Sequence, residues 1–192
     1  MHWDEKTFDV NMNKWTKRCY ETKDYRHLAD YIRIWALLKY GGIYMDTDVE
    51  LLKPIDELIN TDKNIVGIER TRIFHINTDQ QIITDSEHNG KVAVGLFIAI
   101  NPDNQNDILK NVLNKFDEAA KISDDVLMDY TNQLFIDEGL DKDSEKIQYI
   151  NEYKVYPPEY FCPIPWQDNQ LPIEKKVYIT NNTYTIHHYN CK

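Results

Sequence analysis

The chain has 192 residues, 42% of them hydrophobic and 12% aromatic, which is enough to bury a core at the length of one ordinary domain. A formal net charge of −10 argues against a nucleic-acid partner, because affinity for a phosphate backbone comes from clustered Lys and Arg. The first residues, MHWDEKTFDVN, hold no basic stretch leading into an apolar run, and the longest strongly apolar segment falls far short of a bilayer span, so no transmembrane segment is expected.

In chain order, apolar periodicity predicts a helix over Asp24–Tyr40, a strand over Ile43–Leu51 and a short buried strand over Asn64–Glu69. The continuous apolar run Val92–Ile100 suits a central strand, and Asn101, Pro102 and Asp103 lead from it into a helix over 105–120. Another helix is predicted over Val126–Glu138. The prolines and aromatics of Lys154–Pro165 favour an extended segment over a helix. Val177–Tyr189, with Asn181 and Asn182 as its turn, reads as a hairpin-like end. Alternation of helix and strand without an internal repeat or a linker predicts one α/β domain over residues 1–192. Cys19, Cys162 and Cys191 are odd in number and scattered, which fits neither a disulfide framework nor a zinc site, so a reducing cytoplasm is the expected compartment.

The stretch from His27 to Asp56 carries the chemistry. Nearly every position from Leu28 to Leu38 is apolar, yet Asp30 and Arg33 lie there at a spacing of i, i+3 on one helix face. They either pair with each other or meet a polar ligand. Gly41 and Gly42 suit the exit from the helix, where a left-handed backbone favours glycine. In the strand that follows, Tyr44, Asp46 and Asp48 share one face. Two carboxylates roughly 7 Å apart on one face repel unless a cation or solvent lies between them. A divalent cation such as Mg²⁺ or Mn²⁺, held by one or two carboxylates and completed by a ligand's phosphates, meets that need, and a nucleotide diphosphate is then the natural partner. A solvated strand end with a chance Asp-x-Asp is the bland alternative.

The segment DYIRIWALLKYGGIYMDTDVELLKPID resembles the DxD region of glycosyltransferase family 32, which includes bacterial capsular and lipopolysaccharide sugar transferases and fungal mannosyltransferases. The resemblance rests on Asp-x-x-Arg in the helix, the Gly-Gly turn, the Tyr and the Asp-x-Asp, and it extends to VYPPEYFCP and NNTYTIHHYN. It implies a GT-A-like, Rossmann-related mixed sheet flanked by helices. It also implies a metal, Mn²⁺ or Mg²⁺, bound by Asp46, Asp48 and His187. Gly42, Tyr44 and Asp46 would contact the nucleotide-sugar donor, and Asp30 and Arg33 would hold its sugar. The implied reaction moves a sugar from a nucleoside diphosphate, UDP favoured, to a glycan or lipid-linked acceptor in capsular, lipopolysaccharide or other surface polysaccharide synthesis, with retention at the anomeric carbon. Such work places the chain in the cytoplasm, at most peripherally at the inner face of the membrane.

The family normally opens with a short apolar strand and runs on beyond the histidine to Ser-Trp, and this sequence shows neither. The expectation is a fold lacking its first strand, and the alternative function is a reduced or truncated module without a complete donor site. A rival reading takes MDTDV as the start of a haloacid-dehalogenase-like phosphatase with Asp124 and Asp125 as its late acidic pair. The buried helix and Gly-Gly that precede MDTDV count against it. Tyr130, Thr131, Asn132 and the Tyr160 region are either acceptor-side residues or core.

Overall fold

A computed structural model describes residues 7–76, 82–118, 126–168 and 178–189. Helix α1, Lys14–Glu21, begins where Asn13 Oδ1 accepts from the Thr16 N–H at 2.8 Å. Asp24 caps α2, Tyr25–Tyr40, by accepting from the His27 N–H, and its other oxygen lies 2.8 Å from His27 Nδ1. That contact with His27 holds the Asp24 carboxyl below the usual carboxylate range. The helix ends at Gly41, whose φ of +66° only glycine adopts cheaply. A Cβ there would stand 2.6 Å from Pro102 Cδ and 2.9 Å from the Ile100 carbonyl, so Gly41 also lets the helix end close on the sheet.

The remaining elements follow as β1 (Gly42–Tyr44), β2 (Val49–Leu51), α3 (Asp56–Ile59), β3 (Asn64–Ile76), β4 (Ile82–Val92), β5 (Ile98–Ile100) and α4 (Asp107–Glu118). After a π-helical turn at Val126–Tyr130 come α5 (Thr131–Asp137), β6 (Gln148–Ile150), β7 (Tyr153–Tyr156), α6 (Pro158–Phe161) and β8 (Thr185–His187). The main sheet runs β1-β5-β3-β7-β6, with β4 pairing β3. β3 and β7 are parallel, and the other pairs are antiparallel. The molecule is thus a mixed α/β structure with helices flanking the sheet. Alternation along β3 divides the core: Val66 and Ile68 pack with Ile34, Leu37, Leu109, Val112 and Phe135 of the helices, while Ile65 joins Phe97, Tyr156 and Phe161 on the opposite face.

Several sequence expectations are corrected. Ile43–Leu51 is not one strand: β1 ends at Tyr44, the chain turns, and β2 joins a separate two-stranded sheet with β8. The turn is held by the Asp46 N–H donating to the Gly95 carbonyl and the Val49 N–H to that of Asp46. Val92–Ile100 is the end of β4, a turn closed by the Leu96 N–H on the Ala93 carbonyl, and β5. The run is apolar because Ala93, Val94 and Leu96 are buried in the turn itself, and apolarity without alternation reports burial rather than strand continuity.

The strand expected over Asn64–Glu69 continues to Ile76 and pairs with β4, which was not expected because its largely polar sequence lacks an apolar face to announce it. Lys154–Pro165 contains α6, with Pro158 at the first helical position, where its missing N–H costs nothing. Asn181 and Asn182 do form a turn. The strand after it, however, pairs with β2 rather than folding back as a hairpin, because β2 offers a ladder partner. Asp124, Asp125, Val177 and Cys191 lie outside the described residues, while Cys19 and Cys162 are buried free thiols. Among the described residues no helix is long and apolar enough to cross a membrane.

Candidate active site

The turn after β1 positions Asp46 and Asp48, and strand β8 brings His187 beside them across 139 residues of sequence. One ligand atom from each of the three lies within 4.8 Å of the others. The two carboxylates are therefore closer than strand geometry predicts, because the backbone turns between them instead of extending. Asp48 Oδ1 stands 3.0 Å from His187 Nε2, and the Asp48 carbonyl accepts from the His188 N–H at 3.0 Å. His187 Nδ1 is buried without a hydrogen-bond partner among the described residues. Burial lowers the affinity of this imidazole for a proton, against the opposing pull of Asp48.

Arg33, on α2, joins the helix to the turn. Its Nη2 lies 3.0 Å from Asp30 Oδ1 and its Nη1 3.3 Å from Asp46 Oδ1, with the Arg33 side chain only 10% exposed. The guanidinium also sits 4.6 Å from the Tyr44 ring centroid, and the Tyr44 hydroxyl donates to Asp46 Oδ1 at 2.8 Å. Asp30 and Arg33 pair with each other and also face a cleft. Burial pushes the Asp30 carboxyl up to about 6 even with Arg33 pulling it down, so desolvation outweighs the ion pair at this depth. Burial likewise raises the Tyr44 phenol.

Asp30, Arg33, Asp46, Asp48 and His187 line one cavity of about 410 Å³, together with Arg26, Glu69, Ala93, Gly95, Leu96, Leu127 and Met128. Gly95 is required by proximity. A Cβ there would fall 2.4 Å from Arg33 Nη1 and 2.7 Å from Asp46 Oδ2. Of the residues expected to form a site, the structure gathers Asp30, Arg33, Asp46, Asp48 and His187 around this cavity, with Tyr44 bonded behind Asp46. Gly42 stands apart, at the start of β1, where it lines two neighbouring depressions. Thr131 is buried and Asn132 Oδ1 accepts from the Val92 N–H, and neither lines this cavity. Tyr160 packs on Tyr156 and Tyr184.

Sequence reasoning missed Arg26, Glu69 and Gly95. The one available signal was Glu69 itself, a carboxylate closing the otherwise apolar run Ile65–Ile68. Burial pushes its carboxyl up to about 7, although Lys91 pulls it down.

Residues 3–65 match the family model described as a glycosyltransferase sugar-binding region containing a DXD motif, a span that includes Asp30, Arg33, Asp46 and Asp48. The chain is also similar to lactosylceramide 4-alpha-galactosyltransferase of Mus musculus, at 25% identity over 182 residues, covering 86% of this chain and 41% of that protein. It thus spans about two fifths of the length of that curated relative. No solved structure matches. Both similarities support a glycosyltransferase.

Proposed function

We propose that this chain is the catalytic part of a metal-dependent glycosyltransferase that moves a sugar from a nucleoside diphosphate to a hydroxyl of a glycan or lipid-linked acceptor. The observation that carries the reading is the convergence of Asp46, Asp48 and His187, with one ligand atom of each within 4.8 Å of the others, on a cleft that Arg26 and Arg33 also line. Two carboxylates and an imidazole suit a hard to borderline divalent cation such as Mn²⁺ or Mg²⁺. The unpartnered His187 Nδ1 marks this imidazole as a group whose polar capacity the protein leaves partly unused. Held by these three residues, the cation supplies positive charge where a diphosphate develops negative charge.

The side chains around it have separable tasks. Asp30 and Asp46 hold the Arg33 guanidinium from two sides, so it faces the cleft in one orientation with little rotamer entropy left to lose. Tyr44 fixes the Asp46 carboxylate through its hydroxyl. Ala93, Leu96, Leu127 and Met128 supply an apolar wall that excludes water from the polar groups opposite.

A galactosyl donor carried on UDP is the first choice, because the mouse relative is named for galactosyl transfer. The chain then forms one GT-A-like, Rossmann-related unit within residues 1–192. It acts with retention in surface polysaccharide synthesis, in the cytoplasm or at the inner face of the membrane. Thermal unfolding with UDP-galactose, UDP-glucose and GDP-mannose, each with and without Mn²⁺, tests the central claim. A ligand at about 100 times its dissociation constant adds roughly 2.7 kcal/mol of stability. The shift should need metal and nucleotide sugar together and vanish in Asp48→Asn. A wild-type protein that responds to no combination sinks the reading.

A further inference from the structure

The acidic groups on the cleft wall are engaged by other side chains, with one exception. Asp30 and Asp46 share Arg33, and Asp48 meets His187. Glu69 makes no hydrogen bond or ion pair among the described residues, and Lys91, whose charge acts on it, ion-pairs with Asp129 instead.

Its position is built by the strand register. Ile68 pairs with Val92 and Arg70 with Asn89, so two residues of β4, Gly90 and Lys91, stand opposite the single residue Glu69. Such bulges bend a strand and re-aim a side chain. Gly90 leaves room for the stem of that side chain, since a Cβ there would come within 2.9 Å of Glu69 Cγ.

The other groups near Glu69 do not satisfy it. The Cys162 thiol and Tyr189 hydroxyl, both influenced by its charge, engage each other at 3.0 Å, and burial raises both above their ordinary proton affinities. Beside it lie the apolar cleft residues Ala93, Leu96, Leu127 and Met128. Glu69 is only partly buried, so its carboxylate opens on the cleft without a partner among the described residues, and an acid perturbed by burial in a cleft is a candidate ligand contact. A sugar fits this chemistry, because its C–H face covers an apolar wall while its hydroxyls need acceptors.

We propose that Glu69 reads the transferred sugar, its carboxylate accepting a hydrogen bond from a hydroxyl of the donor sugar as that sugar lies against Ala93, Leu96, Leu127 and Met128. This deepens the glycosyltransferase reading and rests on it. The predicted specificity determinant lies outside the matched residues 3–65.

The test separates sugar from nucleotide. Dissociation constants for UDP and for UDP-galactose, with Mn²⁺, are measured by calorimetry on wild type, Glu69→Ala and Glu69→Gln, with UDP-glucose and the pair GDP and GDP-mannose run alongside. A hydrogen bond to a charged group predicts that Glu69→Ala binds the preferred nucleotide sugar roughly 10- to 100-fold more weakly than wild type, with affinity for the bare nucleotide unchanged. Glu69→Gln, which keeps an acceptor oxygen, should recover part of the loss. A general structural role would instead weaken both ligands together. Equal binding of nucleotide sugar by wild type and Glu69→Ala overturns this inference alone. Failure of wild type to bind any of these nucleotides with Mn²⁺ overturns the parent reading and this one with it.

Discussion

Replacing Arg33 with Met keeps the length and apolar stem of the side chain and removes the charge that two carboxylates share. Arg33 is 10% exposed and Asp30 14%, so solvent screens little of what remains, and the Asp30 charge is left buried without its partner. Breaking a buried ion pair from one side costs about 3 to 5 kcal/mol. For a chain of this size that corresponds to a fall of roughly 6 to 20 °C in melting temperature. The cost should depend on pH. Asp30 already protonates near pH 6 in the native protein, and without Arg33 its carboxyl rises further. At pH 5 Asp30 is then largely neutral in the variant, and the loss shrinks, whereas at pH 8 it is fully expressed. Urea denaturation of wild type, Arg33→Met, Asp30→Asn and the double variant at both pH values provides the measurement. The double variant should be less destabilised than the two single costs together, because neither charge is stranded. A cost for Arg33→Met below about 1 kcal/mol at pH 8, or additive single costs, would refute the view that this pair is energetically buried.

Three further expectations follow from the same contacts. Gly95→Ala pushes on the ends of two side chains rather than on backbone, so it should change stability by less than about 1 kcal/mol. It should nevertheless displace Arg33 and Asp46 and abolish the Mn²⁺-dependent response to nucleotide sugar in thermal unfolding. A full response in that variant would show that the close approach has no functional consequence.

Glu69→Gln should stabilise the protein at high pH. The native carboxyl titrates near 7 instead of its ordinary 4.5, so native Glu69 binds its proton more tightly than the unfolded chain does. Its contribution is complete below about pH 4.5 and is lost as pH rises through 7. At roughly 1.4 kcal/mol for each tenfold change in proton affinity, the variant gains about 3 kcal/mol at pH 8 and nothing near pH 4.5, read by urea denaturation at each pH. A stability difference that does not change with pH would contradict this. For His187, burial lowers proton affinity below the ordinary 6.5, so as pH falls through that value wild type should lose stability relative to His187→Gln, in which the Glu69 and Asp30 contributions are unchanged. Parallel melting curves for the two proteins between pH 8 and 5 would overturn that assignment.

The sequence alone determined what is local. Helix α2 was legible from Leu28, Tyr31, Ile34 and Leu37 at helical spacing and from Gly41 at its end. Asp30 and Arg33 could be placed on one face because i, i+3 neighbours meet on any helix. The pairing of Asp46 with Asp48 was legible as chemistry but not as geometry, because a turn is set by a partner, and here the partner is the Gly95 carbonyl in another segment. Only the tertiary structure could decide the rest. His187 reaches Asp48 because β8 pairs with β2, Glu69 faces the cleft because β4 bulges opposite it, and Gly95 is bare because two charged side chains occupy the space beside it. Each of these depends on contacts between residues distant in sequence. Local periodicity carries the preference of a residue for water or core, but not which distant strand it will meet.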